Sequence, residues 1–127
     1  MKVFLSYGTN DAAFASSLRD EIQNSGVEVL DAKWEVAGFD GLQFLRNGLE
    51  DSNALILIVP QRGSNHANNA LFEAGAAKAM GKRVYSVMFD STGREFPVGM
   101  AEKPIFDAER KSPGEVAKDL VAALRAV

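Results

Sequence analysis

Two patterns of apolar residues alternate along the chain. Short segments rich in apolar residues, typical of strands, occupy residues 3–6, 27–31, 54–60, 83–88 and 105–106. Between most of them, apolar residues recur every three or four positions, as in helices that cover a core. These residues are Phe14, Leu18 and Ile22, then Leu42, Leu45 and Leu49, and finally Val116, Leu120 and Leu124; a further helix carries Glu73 and ends at Gly81. Strands that alternate with helices predict an α/β fold, in which a parallel sheet is covered on both sides.

The predicted sheet has five parallel strands in the order 2-1-3-4-5, the arrangement of a flavodoxin-like three-layer sandwich. Residues 54–60 are apolar on both faces, so we expect the third strand to lie at the centre. Ligands of such sheets bind beyond the carboxyl ends of the strands, where the order reverses between strands 1 and 3. The loops after Ser6, Asp31 and Pro60 are therefore predicted to face a ligand.

Composition narrows the class of protein. The 127 residues are predicted to form a single domain, 1–127, with an ordinary apolar fraction of 46%. The net charge is −3 and the basic residues are scattered, which argues against a nucleic-acid partner. The absence of cysteine excludes disulfides, thiolate nucleophiles and cysteine-bound metals. The N-terminus turns polar too early for a signal peptide, and no apolar run has membrane-spanning length, so we expect a cytoplasmic protein without a membrane partner.

Glu73 is the one charged residue in the stretch 68–77. In a helix it shares a face with Asn69, Ala70, Ala76 and Ala77, and none of these is basic. A carboxylate without a local partner, on a face of small residues, is typical of the edge of a ligand cleft. A second interpretation stays open from the sequence: a solvated glutamate that stabilises the start of the helix through the helix dipole.

Other residues with binding chemistry lie in the loops that are predicted to face the ligand. We expect Tyr7, Gly8, Asp31 and Trp34 to line one crevice together with Glu73. Trp34 has two open interpretations: it covers the edge of the sheet, or it offers an aromatic face to a flat ring.

Several other chemistries find little support. His66, the single histidine, has no nearby pair of carboxylates, so no metal site is predicted. Neither a phosphate loop nor the strained turn of a serine nucleophile occurs. The stretch 38–41, which contains Gly38 and Gly41, is predicted to be a flexible loop and a helix cap. Gly75 lies inside a helix, and we expect it to let that helix pack closely on the sheet.

The opening segment 2–7, followed by Asp11 and Phe14, resembles the start of a Toll/interleukin-1 receptor (TIR) domain. Residues 29–31 are similar to the family's second strand, residues 37–38 to its BB loop, and residues 49–54 to the entry of its third strand. Residues 69–73 are similar to the helix that follows, and residues 81–84 to the next strand. The similarity runs to about residue 90, and the compact chain is similar to prokaryotic members. The chain departs from the family's pattern at Asn69, where an aromatic residue is frequent, and in its BB loop, which lacks the frequent Arg-Asp or Pro-Gly feature.

The resemblance implies an NAD+ glycohydrolase or cyclase that acts as a signalling or defence effector. In catalytic members a helix glutamate at the position of Glu73 is essential, and NAD+ lies between it and the first and BB loops. The implied nucleotide-binding residues are Ser6, Tyr7, Gly8, Asp31, Trp34, Gly38 and Asn69. NAD+ or a related nucleotide is the implied substrate, no cofactor is required, and the loop 32–41 is implied to mediate self-association.

Two alternatives stay open. A non-catalytic TIR adaptor would use the same loop to assemble with like domains. Nucleoside deoxyribosyltransferases share the fold plan and a segment similar to residues 72–75 followed by 81–82, and they also use a glutamate beside a ribosyl carbon. The sequence does not distinguish hydrolysis from cyclisation.

Overall fold

A computed structural model describes residues 1–32, 39–61, 64–89, 94 and 105–126; for residues 32, 39–44, 65–69 and 71 it describes the backbone only. Strands and helices alternate, as the apolar pattern predicts. The strands are β1 Lys2–Ser6, β2 Glu28–Ala32, β3 Ala54–Ile58, β4 Arg83–Met88 and β5 Ile105–Asp107. The helices are α1 Ala12–Asn24, α2 Phe39–Asp51, α3 Asn65–Ala79 and α4 Pro113–Arg125, and a short 3-10 turn, Thr9–Asp11, precedes α1.

The sheet confirms the predicted fold and strand order. Its five strands are parallel and lie in the order β2-β1-β3-β4-β5. β3 lies at the centre between β1 and β4, and every one of its residues is buried. A central parallel strand is covered on both faces, which explains why β3 is an uninterrupted apolar run.

Successive residues of a strand point to opposite faces of the sheet, and this alternation divides the core into two clusters. The first, which we call the α1/α4 cluster, joins Val3, Leu5 and Ile56 to the buried faces of α1 and α4. The second, the α2/α3 cluster, joins Phe4 and Leu57 to α2 and α3. Each fully buried leucine or phenylalanine side chain contributes about 1.5–3 kcal/mol relative to an exposed one, so both layers are needed to stabilise the sheet.

α3 packs on the sheet through small side chains. Ala70, Ala74 and Ala77 are fully buried in the α2/α3 cluster. Their spacing of three or four residues puts them on one face of the helix, and Glu73 lies on that same face. The fold therefore directs Glu73 toward the sheet rather than toward solvent.

α2 begins earlier than its apolar repeat indicates. The helix starts at Phe39, whereas the first apolar residue of the repeat is Leu42. The predicted loop 32–41 thus loses its last three residues to the helix, and residues 33–38 lie outside the described part of the chain.

The prediction for Gly75 is wrong. Gly75 is exposed, and a Cβ atom at this position would meet nothing within 4 Å among the described residues beyond the adjoining backbone of its own helix. Close contact between a helix and the sheet occurs instead at Gly48 of α2. A Cβ atom there would lie 2.6 Å from Leu30 Cδ2 and would also collide with the ring of Phe4.

We expect Gly75→Ala to raise the free energy of unfolding by about 1 kcal/mol, because alanine is the better helix former and its methyl group enters open space. Gly48→Ala, the matched change in α2, should lower it by roughly 1–3 kcal/mol, because the methyl group must displace Phe4 and Leu30. Urea unfolding of both variants and the parent measures the two effects. A Gly75→Ala variant that is less stable than the parent would contradict the exposed placement of Gly75.

Candidate functional site

Ser6 is the last residue of β1 and lies at the carboxyl edge of the sheet. Its register partners are Ala32 in β2 and Leu57 in β3. The alternation along β1 puts Ser6 on the same face as Phe4, which belongs to the α2/α3 cluster. The Ser6 side chain is fully buried, and its Oγ makes no hydrogen bond with any described residue.

Glu73 lies in the middle of α3 and is 0% exposed. Neither of its carboxylate oxygens has a hydrogen-bond partner in the part of the chain that the structure describes. The interpretation of Glu73 as a solvated surface residue is therefore wrong. An open cleft edge is not what the structure shows either, because the side chain is entirely enclosed.

Burial raises the pKa of Glu73 from 4.5 to about 8, because the surroundings disfavour the charged form. The Ser6 hydroxyl group opposes this rise of the pKa in part, since it favours the ionised carboxylate. Ser6 is thus adjacent to Glu73, although no hydrogen bond of standard geometry joins the two groups. A pKa near 8 means that most Glu73 side chains are neutral at pH 7.

Asp31 points away from Glu73. It is in register with Leu5, whose side chain belongs to the α1/α4 cluster. Asp31 Oδ2 accepts a hydrogen bond from Arg19 Nη1 of α1 at 2.9 Å, in a partly buried ion pair. The alternation of β2, rather than the loop that follows it, sets the direction of this side chain.

Tyr7 also lies away from Glu73, and Gly8 is the N-cap residue of the 3-10 turn before α1. Tyr7 packs against the α1/α4 cluster, and the carbonyl group of Gly8 accepts a hydrogen bond from the amide of Asp11 at 2.9 Å. The prediction of one crevice is therefore corrected for Tyr7 and Asp31, whose side chains belong to the opposite face of the sheet. Ser6 is the predicted binding residue that the described structure brings to Glu73.

Three predicted binding residues have no described side chain. Trp34 and Gly38 lie outside the described residues, as does most of the loop that is predicted to mediate self-association. Asn69 is described by its backbone alone, one turn before Glu73 in α3. The roles of these residues stay predictions.

Arg94 lies at the carboxyl edge of the sheet, and no pattern in the sequence indicates its role. Its guanidinium group pairs with Asp11 through two bonds, Nη1–Oδ2 at 2.6 Å and Nη2–Oδ1 at 3.0 Å. The two side chains are only 8% and 9% exposed. Nη1 also donates to the carbonyl oxygen of Val59 at 3.0 Å, and the guanidinium lies 4.9 Å from the centre of the Phe89 ring. No spacing rule links two partners that are 83 positions apart.

The chemistry available at this edge is that of a hydroxyl group next to a carboxyl group. A neutral carboxyl group can donate a proton, and an ionised one can stabilise a positive charge. Within the described ranges, no group of three potential metal-ligating His, Cys, Asp or Glu residues occurs. The same part of the chain contains no helix that is both long and apolar enough to cross a membrane.

Solved structures share this fold along nearly their whole length. The RPS4 and RRS1 TIR domain heterodimer is similar with a TM-score of 0.69 at 10% identity, over 99% of this chain and 97% of the other. The CMP N-glycosidase BcmB of Clostridium botulinum gives a TM-score of 0.68 at 15% identity, over 97% and 99%. A flavodoxin from Pseudomonas aeruginosa gives 0.58 at 17% identity, over 99% and 97%. Identities this low show the fold alone.

Sequence comparison goes further than fold. No curated protein sequence matches the chain significantly. The family model of the TIR domain, however, matches residues 3–124, which is almost the entire chain. The match includes Ser6 at the end of β1 and Glu73 in α3. The chain therefore belongs to the TIR domain family.

Proposed function

We propose that this TIR domain cleaves the bond between nicotinamide and ribose in NAD+, with Glu73 as the catalytic carboxylate. The observation that carries the proposal is the Glu73 carboxyl group, which is fully buried and has no hydrogen-bond partner among the described residues. Leaving a buried polar group unpaired costs roughly 1–3 kcal/mol, and perturbed groups of this kind cluster at functional sites. The group also lies beside the end of β1, where ligands of doubly wound sheets bind.

The reaction makes modest demands on the protein. Nicotinamide leaves as a neutral molecule with the bonding electron pair, so no strong general acid is needed. Positive charge develops on the ribose, as in glycoside hydrolysis, and the ionised Glu73 carboxylate would stabilise it and accept hydrogen bonds from the ribose hydroxyl groups. Water then adds to the ribosyl carbon and releases a proton, which gives ADP-ribose; addition of a nucleophile of the same molecule gives a cyclic product. NAD+ is the substrate in this scheme, and no cofactor takes part.

The positive charge of the substrate would favour the ionised form of Glu73. NAD+ carries a positive charge on its nicotinamide ring, and a nearby positive charge lowers the pKa of a carboxyl group. Binding would therefore release the proton that Glu73 holds in the free protein. The Ser6 hydroxyl group, which favours the ionised form, would act in the same direction.

One protein of similar fold is a CMP N-glycosidase, and CMP is also a nucleotide with an N-glycosidic bond. This similarity of fold is compatible with cleavage of the same class of bond by this chain. The two substrates differ in the charge of the ring before the bond breaks, because the nicotinamide ring of NAD+ is cationic and the cytosine ring of CMP is neutral. CMP is therefore the natural second substrate to test beside NAD+.

A non-catalytic assembly role is the second candidate, and the enclosure of Glu73 favours it. At 0% exposure the carboxyl group reaches a ligand only if the site opens. One similar structure is a heterodimer of TIR domains, and self-association of this chain through the loop 32–41 would be the analogous behaviour. In that case Glu73 would be a neutral buried side chain, and neither nucleotide would be consumed.

Glu73→Gln should lower the turnover of NAD+ by about 10²-fold or more, because each ~1.4 kcal/mol of lost transition-state stabilisation is a factor of ten. Chromatography of the products from NAD+ and from CMP measures the turnover. The matched control is Glu50→Gln, since the Glu50 carboxylate is exposed and pairs with Arg46 at 3.2 Å; it should keep the parental rate. A parent protein that is inactive at every protein concentration would favour the assembly role. Parental turnover in the Glu73→Gln variant would remove Glu73 from the mechanism.

The raised pKa of Glu73 should make the stability of the fold depend on pH. The unfolded chain loses this proton near pH 4.5, whereas the folded chain keeps it until about pH 8. Within this window the unfolded state binds fewer protons, so the free energy of unfolding falls as the pH rises, by about 1.4 kcal/mol per unit. Urea unfolding across the window should show the parent losing stability relative to Glu73→Gln. A difference that does not change with pH would mean that Glu73 is solvated in solution.

The same ionisation should govern the rate. Because kcat/KM reports the free enzyme, its value for NAD+ should rise about tenfold per pH unit below the pKa of Glu73 and level off above it. The profile of kcat should bend at a lower pH, since the bound substrate already favours the ionised form. Initial rates over a range of pH and NAD+ concentration measure both profiles. A kcat/KM that is independent of pH between about 6 and 8 would contradict a pKa near 8 for the catalytic group.

A further inference from the structure

Arg94 joins three segments of the chain at the carboxyl edge of the sheet. It pairs through both Nη atoms with Asp11 in the turn after β1, donates to the Val59 carbonyl group just beyond β3, and stacks on Phe89 just beyond β4. Two parallel bonds hold a guanidinium and a carboxylate in one relative orientation. We call this set of contacts the Arg94 junction; it fixes the direction as well as the distance between the segments.

Contacts of Gln61 extend the Arg94 junction to α3. Asn10 Nδ2 donates to Gln61 Oε1 at 2.7 Å, and the backbone of Gln61 forms an antiparallel bridge with Arg94. The Gln61 carbonyl group in turn accepts hydrogen bonds from the Ser64 amide at 3.1 Å and from the Ser64 hydroxyl at 2.7 Å. Ser64 is the N-cap residue of α3, so the contacts end at the helix that carries Glu73.

In the other direction, the Arg94 junction leads to Ser6. The amide of Asp11 donates to the carbonyl group of Gly8, which follows Ser6 by two residues. A fixed Asp11 therefore fixes the path by which the chain leaves β1. The two ends of this network of contacts are the strand end that carries Ser6 and the helix that carries Glu73.

We propose that Arg94 is a positioning residue for the Ser6–Glu73 site. Paired with Asp11, it holds the turn after β1 against the entry to α3, which keeps Ser6 adjacent to Glu73 and keeps water out. The catalytic consequence of this role rests on the function proposed above. The closure of the site does not, because it can be measured without turnover.

A buried ion pair can also have a simpler role, which is to contribute to stability alone. Desolvation offsets much of the attraction in such a pair, so its presence is weak evidence for a gain in stability. If stability were its one role, a variant that remains folded would keep the geometry of Ser6 and Glu73. The two roles therefore differ in what happens inside a folded variant.

Arg94→Lys separates the two roles, because it keeps the positive charge and removes the two-bond geometry. The matched control is Arg46→Lys, the same substitution at an exposed ion pair on α2. Two quantities are measured on each protein below its melting temperature. The first is the pKa of Glu73, from the carboxyl carbon NMR signal that disappears in Glu73→Gln; the second is the pair of constants kcat and KM for NAD+.

In Arg94→Lys the pKa of Glu73 should fall from about 8 toward 4.5 by about one unit or more, because water enters the site. The kcat should fall by about 10²-fold with a smaller change in KM, since a displacement of about 1 Å is enough for such a loss. Adding Ser6→Ala to Arg94→Lys should lower kcat little further, because both changes disturb one contact. Arg46→Lys should change neither quantity.

A folded Arg94→Lys protein with the parental pKa of Glu73 would overturn the proposal, and so would one with the parental kcat. A parent protein without turnover would refute the proposed function instead, and the pKa of Glu73 would then decide the role of Arg94 by itself. Should Arg94→Lys fail to fold, Asp11→Asn gives the same comparison, because it keeps the shape of the side chain and removes its charge.

Discussion

The burial of β3 on both faces is the constraint on which the rest of the structure depends. A strand without an exposed face must be covered by helices on both sides, and the alternation of its neighbours then divides their side chains between two layers. The residues at the carboxyl edge of the sheet are divided between the same two layers. Ser6 falls in the layer of α2 and α3 and lies next to Glu73, whereas Asp31 falls in the other layer and pairs with Arg19.

Glu73 is a costly residue in the layer that it occupies. An ionised carboxylate in apolar surroundings costs far more free energy than a neutral one, and the raised pKa shows that the fold avoids this cost by protonation. Even so, an apolar side chain among Ala70, Ala74 and Ala77 would be the more stable choice at this position, since it has no polar group to leave unpaired. Stability alone therefore does not explain the presence of Glu73 at this position, whereas the catalytic role proposed above does.

The fold could be predicted because it depends on patterns that are local in the sequence, such as the apolar run of β3 and the helical repeats around it. The candidate site could be predicted only in part. The lack of a charged neighbour for Glu73 is local, but its enclosure depends on how α3 meets the sheet. The direction of Asp31 depends on the phase of β2, and one residue of shift reverses it. Arg94 meets Asp11 only after three strand ends have come together, so no sequence window contains both.

The neutral form of Glu73 in the free protein is compatible with the proposed catalysis. This follows when the free energy needed to ionise Glu73 is compared with the attraction of a nearby positive charge. Lowering the pKa from about 8 to below 7 requires slightly more than ~1.4 kcal/mol of preference for the ionised form. A unit positive charge about 4 Å from a carboxylate supplies ~4 kcal/mol at the effective dielectric constant typical of proteins. One cationic ring is therefore sufficient to ionise Glu73 at neutral pH, provided that it enters the site. A neutral base such as cytosine supplies no such interaction, so the same carboxyl group would stay protonated beside it and would not stabilise positive charge on the ribose.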